Sequence, residues 1–96
     1  MLQQITIQSE SELDLKPLLE TAILGELRNI QHGINRTRAR LEAFEKQYGM
    51  TTDEFLRRFT PDDLGETLDF LDWHGETKML ALLEEKKKTL EGLQVK

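Results

Sequence analysis

Apolar side chains recur along the first half of the chain at helical spacing. Ile23, Leu27, Ile30, Ile34, Thr37, Leu41, Phe44 and Tyr48 follow one another at intervals of 4, 3, 4, 3, 4, 3 and 4 residues, a sustained heptad seam. Asp14 is a candidate N-cap, and Pro17 falls in the first helical turn, where its missing N–H costs nothing. Between Leu15 and Tyr48 only Gly25 and Gly33 weaken a helix, each by about 1 kcal/mol relative to Ala. The pattern therefore predicts a helix over 15–48, roughly 50 Å long at the usual rise per residue.

The flanking segments carry other periods. Gln4-Ile5-Thr6-Ile7-Gln8 alternates polar and β-branched apolar residues, as a half-buried strand does, within an N-terminal arm of residues 1–12. So short a strand needs a partner, and Ser9 to Ser11 break the pattern. Gly49 stops the long helix in a left-handed conformation, and Thr51-x-x-Glu54 is a capping box opening a short helix over 51–59. Thr60-Pro61-Asp62-Asp63-Leu64-Gly65 reads as a turn. A last helix over 67–92 carries Phe70, Trp73, Leu80, Leu83 and Leu90 along one side, with Leu71, Met79 and Leu82 widening the stripe. The expected fold is mainly α and forms a single domain over 1–96. A short strand precedes two long helices that close an antiparallel hairpin around the short one. Two helices make a thin core, so a homodimer completing a four-helix arrangement is expected, held by Ile23, Leu27, Ile30, Ile34, Leu41 and Phe44.

Composition narrows the function. In 96 residues, 32% charged and 38% hydrophobic, there is room for one modest core and little room for a deep catalytic cleft. The net charge of −5 opposes general attraction to phosphate backbones. Only a local basic face, Arg36, Arg38 and Arg40 with Arg28 beside them, offers nucleic-acid contact, and Arg57 and Arg58 form a second basic spot. The chain has no cysteine, no basic leader in Met1 to Glu10, and no apolar run long enough to span a membrane, so a cytoplasmic location is expected.

No catalytic set assembles from the residue types. His32 and His74 lack zinc-motif partners, the two serines Ser9 and Ser11 lack a histidine, and no glycine-rich phosphate loop occurs. The acidic stretch of Asp62, Asp63, Glu66, Asp69, Asp72 and Glu76 lacks the order of a calcium loop, and its later members suit a helix N-terminus. The expectation is a non-enzyme without metal or cofactor. For any one of Phe55, Phe59, Phe70 and Trp73 core packing is the commoner role, but the set sits where little core exists to bury it, and is expected to anchor a protein partner.

The segment Phe44-Glu-Lys-Gln-Tyr-Gly-Met-Thr-Thr-Asp-Glu-Phe-Leu-Arg-Arg-Phe59, with Leu64-Gly65 and Leu68-Asp-Phe-Leu-Asp-Trp73, resembles a family of small bacterial and archaeal proteins. Their pattern joins a Tyr-Gly-Met-Ser/Thr-x-x-Glu-Phe segment to an Asp-Phe-x-x-Trp segment, often after an Ile-Thr-Ile strand such as Ile5-Thr6-Ile7. This chain departs from it at His74, where a small or apolar residue is more typical. The resemblance implies an antitoxin-like protein of a toxin–antitoxin pair, which occludes a basic protein partner. Two alternatives stand beside it: a DNA-binding dimer of ribbon-helix-helix style reading bases with Gln4, Thr6 and Gln8, and a purely structural coiled-coil protein.

Overall fold

The structure, a computed structural model, describes residues 3–6, 8 and 14–95. Its order is β1 (Gln3–Ile5), α1 (Leu15–Tyr48), α2 (Thr52–Arg58), α3 (Leu68–Glu91) and β2 (Leu93–Val95). The ends of α1 follow the sequence signals. The Asp14 carboxylate accepts from the Lys16 N–H at 3.2 Å, and Gly49, at φ 65°, donates its N–H to the Glu45 carbonyl at 2.9 Å. Thr51 and Thr67 cap α2 and α3 through hydroxyls that accept from Glu54 N–H and Phe70 N–H, each at 3.1 Å. Gly65, at φ 68°, completes the turn before α3, where Arg58 pairs with Asp63 at 3.1 Å.

Helices α1 and α3 lie antiparallel, forming a hairpin of 61 × 21 × 18 Å with a radius of gyration of 19.0 Å. A compact chain of this length would have a radius of roughly 12 Å. The rod has a knob at one end, where α2 and the turn fold over the helix ends, and a tail at the other, where β1 and β2 pair.

The heptad seam closes inside one chain. Ile30, Ile34, Thr37 and Leu41 are buried, and Phe44 and Tyr48 are half-buried against the knob. Towards the tail Ile23 and Leu27 are half-buried, with Ile23 beside Leu93 of β2. Of the expected dimer seam, Ile30, Ile34 and Leu41 are instead buried within the one chain, where α3 supplies the matching stripe, while Ile23, Leu27 and Phe44 are half-buried. Gly33 permits the close approach: a Cβ there would stand 3.2 Å from Leu83 Cδ1.

Two further expectations change. The residues expected to widen the stripe of α3, Leu71, Met79 and Leu82, are exposed. The strand is Gln3–Ile5, one residue earlier and shorter than the alternation suggests, and Ile5 is exposed; Ile7 and the break at Ser9 to Ser11 lie outside the described residues. Its partner is β2 of the same chain, parallel, with Gln3, Gln4 and Ile5 opposite Leu93, Gln94 and Val95.

Candidate functional site

The knob is built around one tryptophan. Trp73, on the first turns of α3, and Phe55, on α2, are both 0% exposed, and Phe70 and Leu41 complete the buried cluster. Phe55 and Phe70 have ring centroids 5.5 Å apart, and Phe44 stacks on Trp73, also at 5.5 Å. Phe59 is half-buried against Phe55 at 5.1 Å and against the His74 ring at 5.1 Å. The expectation that Phe55, Phe70 and Trp73 anchor a partner is corrected accordingly, whereas Phe59 is only half-buried. Helix α2 covers them, and burial of each large ring stabilises the fold by about 1.5–3 kcal/mol. Phe55 and Trp73 therefore present nothing to another molecule.

Polar groups lock this cluster in place. The Trp73 indole N–H donates to the Thr52 hydroxyl at 3.1 Å, and the Thr52 N–H donates to the Glu45 carboxylate at 2.6 Å. Glu45 thus supplies, from α1, a second cap for α2 that the capping-box pattern alone does not reveal. The Tyr48 hydroxyl and the Gln47 amide both donate to the Asp69 carboxylate. The hydrogen bond to Asp69 holds the phenolic pKa above its ordinary range, and partial burial and the negative charge of Asp69 act in the same direction. Arg58 in turn holds the Asp63 carboxyl below the ordinary carboxylate range, chiefly by hydrogen bonding.

The acidic stretch is dispersed by these contacts. Asp63 faces Arg58, Asp69 receives Tyr48, and Glu76 pairs with Arg40 at 2.8 Å. Among the described residues no three His, Asp or Glu side chains converge on a metal position, and no helix is long and apolar enough to cross a membrane. His32 is exposed on α1, remote in sequence and element from His74.

The three candidate arginines do not share one face. Arg38 pairs with Glu84 at 3.1 Å, whereas Arg36 and Arg40 line the opposite edge of the helix pair. Two of the three cations are thus matched to carboxylates of α3.

That opposite edge is an open groove between α1 and α3, which sequence reasoning missed. Its central hollow, about 550 Å³, has Ile30, Gly33, Thr37, Gly75 and Leu83 on its walls. It adjoins a hollow reaching Phe44 and Gln47 towards the knob and another reaching Leu90 towards the tail. Alongside it, Leu68, Leu71, Gly75, Met79 and Leu82 recur at intervals of 3, 4, 4 and 3 residues, a second stripe along one side of α3. Its four large side chains are all exposed, Leu68 at 82%. The signal is present in the intervals; what the sequence lacks is which stripe of α3 meets α1.

Comparison with known protein families, characterised proteins and solved structures finds no match.

Proposed function

We propose that the chain is a non-enzymatic protein-interaction module acting in the cytoplasm, an antitoxin-type component that neutralises a basic protein partner by covering it. One observation carries the reading. The chain exposes 7378 Å², against roughly 5,700 Å² for a typical compact monomer of its mass. A rod this open offers more than one side to other chains, its acidic sides to a basic one.

The net charge of −5 supports a basic partner, since opposite fields speed encounter. The resemblance described above supports the antitoxin class. The test is co-expression with a small basic protein encoded in the adjacent reading frame. Relief of that protein's growth arrest, a fixed-ratio complex, and an association rate that falls as salt rises are the expected results. Failure of the two proteins to associate, or association without relief of toxicity, would overturn the reading.

A further inference from the structure

We propose that the groove between α1 and α3, with the exposed stripe of α3 beside it, takes a second copy of this chain, so that two hairpins close a four-helix bundle. This surface borders the heptad seam of α1, whose Ile30 and Thr37 stand on the groove wall, but its exposed apolar row belongs to α3.

Three observations select the occupant. The first is the apolar stripe itself: Leu71, Met79 and Leu82 are about half exposed, at 45%, 47% and 49%, and lie on one side of α3. A helix laid along them would bury a continuous row of side chains.

The second is charge. The groove is edged by Glu26, Arg36 and Arg40 of α1 and by Asp72, Glu76 and Lys86 of α3. The three acids and three bases of the central hollow balance, and Glu85 in the hollow towards the tail adds one negative charge, so most of the chain's −5 lies elsewhere. The signs are also ordered. On α1 the knob end is basic and the tail end acidic; on α3 the knob end is acidic and the tail end basic. A twofold axis in the plane of this face either sets α1 against the partner's α3, knob to knob and antiparallel, or sets each helix against its own copy reversed. In both arrangements basic ends meet acidic ends. The edge is complementary to itself, whereas a strongly basic or acidic partner would meet repulsion along half of it.

The third is area. A standard interface takes about 800 Å² from each partner. One docked copy would cover about half of the surface excess, leaving the acidic outer sides for a different chain. Gly75 is consistent with close approach: it stands in mid-helix, and a Cβ there would meet nothing within 4 Å, so no contact inside the chain calls for glycine.

The experiment is sedimentation equilibrium of the purified chain alone across a wide concentration range. The expected species has twice the 11.2 kDa chain mass. Leu71→Glu and Met79→Glu alter exposed positions and should leave the helical circular dichroism intact while raising the dimer Kd at least tenfold. Ala81→Glu, exposed and off the groove, should leave Kd unchanged. Arg36→Glu with Lys86→Glu should also break the dimer by making both faces acidic. A chain that sediments as a monomer at every concentration overturns the proposal, as does a dimer indifferent to Leu71→Glu and Met79→Glu in a folded protein. A monomer cross-linked through position 79 to a different protein in the host would overturn it too, assigning the groove to that protein. None of these results bears on whether the chain relieves a basic toxin, which the co-expression test reads separately.

Discussion

Phe55 lies flat on the Trp73 indole, with centroids 4.0 Å apart and ring planes within 2° of parallel. One ring belongs to the short helix and the other to the long one, so this stack fastens the knob to the hairpin. Phe55→Ala should remove about 3–5 kcal/mol, a large share of the roughly 5–15 kcal/mol that holds a small domain folded. Trp73 is the sole tryptophan, so its fluorescence during urea unfolding reads the loss directly. A midpoint unchanged from wild type would show that the stack contributes little.

The indole N–H gives a sharper test. Thr52→Val keeps the shape of the side chain but leaves that buried donor without its acceptor, at a cost of about 1–3 kcal/mol. Thr52→Ser restores a hydroxyl and should stay near wild type. Equal losses in both variants would assign the effect to packing of the threonine methyl.

Tyr48 makes stability depend on alkaline pH. Its folded pKa is raised above the ordinary 10.0 by donation to Asp69, so the folded state holds the proton more tightly than the unfolded state does. The stabilisation is fully present below the unfolded value and is lost as pH rises through the folded one. Urea midpoints should therefore fall at alkaline pH in the wild type, and Tyr48→Phe should flatten that part of the profile. The same slope in both proteins would point to other groups.

Ile34, only 2% exposed, is buried inside one chain. Ile34→Ala should cost about 2–5 kcal/mol, seen as a lower urea midpoint at a fixed protein concentration. A seam between two copies would instead release a folded monomer of undiminished stability, which sedimentation of the same variant would detect.

The helix limits are readable in the sequence because each rests on a local device: the carboxylate of Asp14, the left-handed Gly49, the hydroxyls of Thr51 and Thr67. The destination of the heptad seam is not. Intervals of three and four residues require a partner helix, but Ile30 and Ile34 would look the same facing α3 or a second copy. The aromatic group is illegible for a related reason. Its burial depends on α2 folding back over Trp73, held by Thr52 and Glu45, contacts that no local pattern encodes. β2 escapes a reading of the sequence because Leu93–Val95 has no alternation long enough to notice and pairs with residues at the other end of the chain.

The order of contacts along the rod sets an order of assembly. At the knob, Tyr48 meets Asp69 across 21 residues; farther along, Arg40 meets Glu76 across 36 and Gln31 meets Lys87 across 56. Each step towards the tail closes a longer loop only if the previous one has not already done so, and the entropy of closure grows slowly with loop length. The molecule should therefore zip from the aromatic end, each pairing shortening the search for the next, with the parallel strands last. Read backwards, the same geometry is a gradient of opening: amide exchange should be slowest around Leu41 and Trp73 and quicken towards Leu93.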